Sequence, residues 1–453
     1  MSVREKSMRG NDVMANFSKP QGPRFEVEVY QNPYLPEGSG EVHAVVTVTA
    51  TGGGTGALTA AGPGQDAAVV LMVDCSGSMQ YPPSKLHHAK EATGAALDTL
   101  RDGTRFAVVE GTHVAREVYP RGGALAVADD RTRAEAKEAL RTLRASGGTA
   151  VGRWLRLAER LLSQAPVAIR HGILLTDGRN EHETPEELRA ALDDCAGRFT
   201  CDARGVGTDW KVAEVTGIAS ALLGSADIVA EPEALTEDFT RMMENVMGKE
   251  VADVALRLWT PQGAEPVFVK QVAPSVEDLT ARRTEPAPRT GDYPTGSWGD
   301  ESRDYHFCVR VPPAGLGQEM LAGRVSLVVP EADGSVTRLG QGLVRAVWTD
   351  DIAASTQLNP QVAHYTGQAE LAGAVREGLQ ARKSGDQERA TARLGRAVQL
   401  AHASGNEATA KLLAKVVDVV DAPAGTVRLK AKVTEADEMT LETRSTKTVR
   451  VRK

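Results

Sequence analysis

The eight residues "AAVVLMVD" (67–74) constrain this fold more than any other stretch of the chain. The apolar run has no polar interruption and stops at a carboxylate, Asp74. A strand with that pattern is buried on both faces, which requires a parallel sheet covered by helices on each side. The following sequence supplies those layers. "SKLHHAKEATGAALDTL" sets Leu86, Ala89, Thr93, Leu97 and Leu100 at helical spacing, and "RFAVVEG" and "HGILLT" read as further strands. "RTRAEAKEALRTLR", "VGRWLRLAERLLSQ", "KVAEVTGIASALLG" and "EALTEDFTRMMENVMG" read as helices, with "CDARGVG" and "ADIVA" as short strands. "TPEELRAALDDC" opens with Thr184 as N-cap, Pro185 at the first helical position and Glu187 closing a capping box. This alternation predicts a doubly wound α/β domain over 67–249.

The flanks read differently. "RFEVEVYQ" and "EVHAVVTVTA" alternate apolar and polar residues within a segment 24–62, which ends in a Gly/Ala/Thr-rich linker. Strand patterns without helices return over 250–350: "VADVALRLWT", "EPVFVKQV", "DYHFCVRV", "GRVSLVV" and "TRLGQGLVRAVWT". A Pro/Arg/Gly-rich loop, roughly 281–300, interrupts them. The expected architecture is one β-sandwich split by the inserted α/β domain; two separate small β pieces are the alternative. Residues 361–421 carry helical patterns broken at "SGD" and "SGN", where Gly ends helices, and predict antiparallel hairpins. The Thr-rich tail 422–453 ends in a basic "KTVRVRK" and is expected to be mostly disordered, as is the N-terminus 1–23.

At 453 residues, roughly two to four domains are expected. A net charge of −7 gives no reason to expect nucleic-acid binding. No segment has the length and hydropathy of a membrane span, and the N-terminus has no apolar leader core. Cys75, Cys195, Cys201 and Cys308 form no zinc-like pairs and no disulfide framework, which points to a reducing, cytoplasmic compartment.

In "VDCSGSM", Ser76 and Ser78 follow Asp74 at alternate positions. Alone, such a carboxylate with nearby hydroxyls is a common turn or helix cap. Two further features change that reading. "ASGGTAVGR" puts Thr149 in a Gly-rich loop before a helix, and "ILLTDGRN" puts Asp177 at the end of another buried strand. Carboxyl ends of parallel strands line the crevice where ligands bind, so the five side chains are expected to converge. Two carboxylates and three hydroxyls form an all-oxygen set, suited to Mg²⁺, Mn²⁺ or Ca²⁺ rather than zinc or copper.

The pattern Asp74-x-Ser76-x-Ser78, a distant Thr149 and a strand-terminal Asp177 resembles the metal-ion-dependent adhesion site of von Willebrand factor A domains. The resemblance spans about 180 residues and fills all five motif positions. It implies that Ser76 and Ser78 coordinate a cation directly, with Thr149, Asp74 and Asp177 doing so directly or through water. The remaining position would take an Asp or Glu from a partner protein. The implied function is a non-enzymatic, metal-dependent adaptor. Cytoplasmic bacterial members of the family sit beside Ser/Thr kinases and forkhead-associated domains, or beside AAA ATPases in chelatase-like complexes. Either setting is an expectation for this chain.

Other features weigh less. Cys75 reads as a small core side chain and His87 and His88 as a solvated helix face. "GGGTGALT" lacks the Lys-Ser/Thr of a phosphate loop, and no general base marks a hydrolase. "VTEADE" and the residues after it make Thr434, Thr440 and Thr443 candidate phosphorylation sites, although a merely soluble tail is the favoured reading of the segment.

Overall fold

The computed structural model describes residues 23–52, 67–331 and 335–450. The N-terminal segment expected to be disordered (apart from residue 23) and most of the Gly-rich linker lie outside the described residues.

Strands β1 (Arg24–Gln31), β2 (Tyr34–Pro36) and β3 (Glu41–Thr51) precede the α/β domain. The domain contains β4 (Ala67–Asp74), α1 (Ser84–Thr99), β5 (Arg105–Gly111), β6 (Ala115–Tyr119), β7 (Ala126–Val127) and α2 (Asp130–Arg141). It continues with α3 (Val151–Leu162), β8 (Ile169–Thr176), α4 (Pro185–Cys195), β9 (Thr200–Val206), α5 (Val212–Ala221), β10 (Ala226–Val229) and α6 (Leu235–Met247). The sheet order is β10-β9-β8-β4-β5-β6, with β7 also on β5. The first five strands in that order are parallel, and β6 turns back antiparallel at the edge.

The all-apolar run occupies the centre of this sheet and serves two cores at once. Val70 and Met72 face one layer with Trp154, Leu155 and Ile218. Val69, Leu71 and Val73 face the other with Ala89, Phe106 and Phe239. A period of two therefore divides the strand between two helical layers. Thr184 caps α4 as its capping box requires, accepting from Glu187 N. From β4 the chain moves first to β5 and later to β8 on the other side, so the order reverses beside β4. The crevice at that reversal lies between the carboxyl ends of β4 and β8.

After the domain come β11 (Val251–Trp259), β12 (Glu265–Ala273), β13 (Glu277–Asp278), β14 (Thr284–Ala287) and β15 (Thr290–Trp298). β16 (Glu301–Arg310), β17 (Glu319–Pro330) and β18 (Val336–Thr349) complete the strands before the helical region. One sheet is β1-β3-β16-β12-β13 and the other β14-β15-β11-β17-β18-β2. β3 pairs along its length with β16, and β2 pairs with β18. Strands from before and after the α/β domain thus build a single sandwich, closed over Val46, Tyr305, Phe307, Leu327 and Trp348.

Three expectations are corrected here. The expected loop at 281–300 contains the β14–β15 hairpin, with Tyr293 and Trp298 buried in the sandwich core. Its glycines and Pro294 hide the strand pattern, while neighbouring β11 supplies the pairing. The described part of the tail, through residue 450, is folded rather than disordered. After α7 (Ile352–Thr356), α8 (Pro360–Lys383), α9 (Gln387–Ala403) and α10 (Glu407–Val416), the chain forms the hairpin β19 (Val417–Asp421) and β20 (Thr426–Leu429). Helix α11 (Glu435–Arg444) follows, with Met439 and Leu441 buried. The expected third helix therefore stops at Val416, where the Val-rich run becomes a strand.

Candidate metal centre

Three parts of the fold supply the oxygen-bearing side chains of the predicted cluster: the end of β4 with the turn after it, the loop before α3, and the end of β8. Asp74 ends β4 and is fully buried. Its Oδ1 accepts from Ser76 N at 2.8 Å and its Oδ2 from Thr176 Oγ1 at 2.7 Å. These bonds orient the carboxylate before any ligand arrives. Ser76 Oγ and Ser78 Oγ lie 2.9 Å apart, and Ser78 Oγ donates to Asp177 Oδ1 at 2.7 Å.

Thr149 reaches the same place from the loop before α3. That loop is pinned to the motif by Gly77 N donating to Gly147 O (2.9 Å) and Ser146 N donating to Cys75 O (2.7 Å). His182 N donates to Thr149 O at 3.0 Å, and its ring lies over Gly148 so closely that a Cβ there would overlap it. Gly178 provides a ruler for the convergence. A Cβ on Gly178 would lie 3.1 Å from Ser78 Oγ, 3.2 Å from Thr149 Oγ1 and 3.7 Å from Ser76 Oγ. Three hydroxyls thus surround one small space, kept open by glycine.

Burial dominates the electrostatics of the two carboxylates. Burial, helped by the negative charge of Asp177, pushes the Asp74 carboxyl up to about 6. Burial also raises Asp177, opposed chiefly by its hydrogen bonds from Lys85 and Ser78. Lys85 was not anticipated from sequence. It is 3% exposed, and its Nζ donates to Asp177 Oδ2 at 2.6 Å and lies 3.5 Å from Asp209 Oδ2. The donor set fits a hard cation: oxygen atoms from two carboxylates and three hydroxyls, with no thiol or imidazole among the five. Lys85 offsets one of the two negative charges. Above the cluster lies an open depression of about 390 Å³ whose rim includes Arg179, Glu181, His182 and Asp209.

The remaining sequence candidates lie elsewhere. Cys75 is buried in the α/β core, while His87 is exposed on α1. Thr434 caps α11, accepting from Asp437 N at 3.2 Å and donating to Asp437 Oδ2 at 2.6 Å. Thr440 Oγ1 donates to Ala436 O at 2.6 Å, and Thr443 is buried, so a kinase could not reach Thr443 in this fold. No described helix is long and apolar enough to cross a membrane.

Comparison with known proteins places this geometry in context. Residues 67–228 match the model of the von Willebrand factor type A domain, and 399–445 match that of the von Willebrand factor type A C-terminal domain. The fold is similar to a von Willebrand factor type A protein from Catenulispora acidiphila, at 54% identity and a TM-score of 0.90. That likeness covers 96% of this chain and 99% of the other. The ArnB paralog VWA2 from Sulfolobus acidocaldarius shares the fold at 13% identity and a TM-score of 0.58, over 93% of this chain and 98% of that one. No curated protein matches the chain.

Proposed function

Because this chain belongs to the von Willebrand factor type A family, we propose that it is a non-enzymatic adaptor that binds a partner protein through a divalent cation. In this reading Asp74, Ser76, Ser78, Thr149 and Asp177 hold Mg²⁺, and the partner supplies an Asp or Glu carboxylate. The observation that carries the reading is the meeting of three hydroxyls at the Gly178 space, beside two buried carboxylates and under an open depression.

When bound, the cation supplies a Lewis-acidic position that a carboxylate can fill. The chain's own groups set how strongly it does so. Asp74 is fixed by Ser76 N and Thr176 Oγ1, so its carboxylate needs little reorganisation on binding. Hydroxyl ligands are neutral, and Lys85 offsets the charge of Asp177. The protein therefore leaves the ion under-neutralised, which favours an outside carboxylate over water. Arg179 on the rim adds a second cationic group for the incoming acid. The free, buried state of all four cysteines supports a cytoplasmic setting.

The test is an affinity pull-down from native extract with wild type and Asp74→Ala, each in Mg²⁺ and in EDTA. Partners lost in EDTA and in the variant are the expected result. Their identities separate a kinase and forkhead-associated signalling set from an AAA ATPase assembly. Partners unchanged in all four arms would overturn the metal-bridged mechanism, and phosphoester turnover by the purified chain would overturn the non-enzymatic reading.

A further inference from the structure

A second cluster, of different chemistry, lies on the sandwich. β3 and β16 run antiparallel with His43 directly opposite Cys308 and Glu41 opposite Arg310. Alternate residues of a strand share a face, so Glu41, His43 and Cys308 point the same way. Their neighbours Val42, Ala44, Phe307 and Val309 fill the sandwich core, so the three lie on the outer face of the sheet. One carboxylate oxygen of Glu41, one ring nitrogen of His43 and Sγ of Cys308 lie within 4.8 Å of one another. Two residues along β16, His306 Nε2 is 3.2 Å from His43 Nδ1.

We propose that Glu41, His43 and Cys308 form a second metal site, selective for a borderline cation of the zinc class. Oxygen, nitrogen and sulfur donors together suit Zn²⁺ and disfavour Mg²⁺ and Ca²⁺, whereas the oxygen cluster of the α/β domain has the opposite preference. Three protein ligands leave a fourth tetrahedral position to water or an outside group. His306 engages Nδ1 of His43 and orients the ring, so the proposed site takes Nε2 as its ligand, in the way outer partners orient metal-bound histidines. Phe268 packs edge-on against His306, with ring centroids 5.0 Å apart, and holds it in turn.

The other side chains allow the ion in. Glu41 is paired with Arg310 at 3.0 Å, but both are 53% exposed, and a surface pair of that kind is weak competition. Glu41 and His43 are only partly covered, which gives an entry path, while Cys308 is buried behind them. Binding releases the thiol proton to solvent and leaves the thiolate on the ion. A buried cysteine acting only as a small apolar filler would not require a carboxylate and an imidazole beside its sulfur.

The experiment is a Co²⁺ titration of the full chain carrying Asp74→Ala and Asp177→Ala, so that the oxygen cluster cannot contribute. One equivalent of Co²⁺ should produce tetrahedral d–d bands and a thiolate-to-cobalt charge-transfer band, both bleached by Zn²⁺. Both bands should vanish with added Cys308→Ser or with added His43→Asn, with circular dichroism checking that each variant is folded. No charge-transfer band in the parent, or a band that survives either substitution, overturns the site. Neither result bears on the oxygen cluster, which this background has already disabled.

Discussion

Lys85 shows how one side chain can set the character of the oxygen site. Its buried ammonium sits 2.6 Å from Asp177 and reduces the negative charge a cation would meet. Replacing it by Met should raise Mg²⁺ affinity by roughly tenfold, about one pKa unit's worth of electrostatic free energy, as read by calorimetric titration. It should also lower the melting temperature of the metal-free protein, because Asp177 loses its buried partner, and enlarge the rise in melting temperature on adding Mg²⁺. Unchanged affinity would show that Lys85 is a structural pair only. Gly178→Ala tests the cradle itself. The new methyl would lie 3.1–3.7 Å from the three hydroxyls, so Mg²⁺ binding should fall while the fold, read by circular dichroism, persists. These residues differ in how they read from sequence. Asp74, Ser76 and Ser78 announce themselves within five positions, and Asp177 follows from the strand-end rule. A lysine in the first turn of an amphipathic helix reads as a solvated charge, and only the packing of α1 against the sheet shows otherwise.

Among the elements, α11 carries information that its own sequence conceals. "EADEMTLETR" is polar enough to read as disordered, and its stability comes from partners distant in the chain. Arg444 and Lys447 reach Asp227 on edge strand β10 at 2.8 and 2.5 Å. Arg382 and Glu438 pair α8 with α11 at 2.8 Å. Strand β4 is legible because burial on both faces leaves an unbroken apolar run, and β8 because its second half, Ile173–Leu175, does the same on a shorter scale. β14 and β15 were not, because their glycines and prolines break the alternation while backbone pairing with β11 persists. Burial by itself would raise the Asp227 carboxyl, but Lys447 and Arg444 outweigh it and hold it below the usual range. A carboxylate with a depressed folded value contributes stability at pH above its unfolded value. That contribution is lost as the pH falls through the folded one. Denaturant midpoints should therefore drop on acidification below about pH 4, and drop less in the Arg444→Gln/Lys447→Gln variant. At pH 7 that variant should be about 2 kcal/mol less stable, from one buried carboxylate left without a cationic partner. An unchanged acid profile would remove Asp227 from this role.

At the scale of the whole molecule, the C-terminal segment fastens the three units to one another. It meets the α/β domain at Asp227 and the sandwich at Pro274 and Asp304, where Thr448 N and Arg450 donate. It meets the helical region through Leu441, in one core with Leu379 and Leu413. Tyr365 of α8 also donates to Asp304, closing the circuit between helices and sandwich. Ending the chain after residue 433 should expose the seats of Met439 and Leu441, about 5 kcal/mol of apolar burial, and split one thermal transition into several in calorimetry. A single unshifted transition would contradict the fastening. The parallel topology of the α/β sheet places the oxygen cluster at its carboxyl end, under an open depression available to another protein. The proposed role requires this cluster to bind a divalent cation with its five named side chains. Its most direct test is Mn²⁺ binding by electron paramagnetic resonance to wild type, Asp74→Ala and Thr149→Val. One tightly held Mn²⁺ per chain, displaced by excess Mg²⁺, abolished in Asp74→Ala and weakened in Thr149→Val, is the predicted result. No bound Mn²⁺ in wild type, or equal binding in all three proteins, would contradict it.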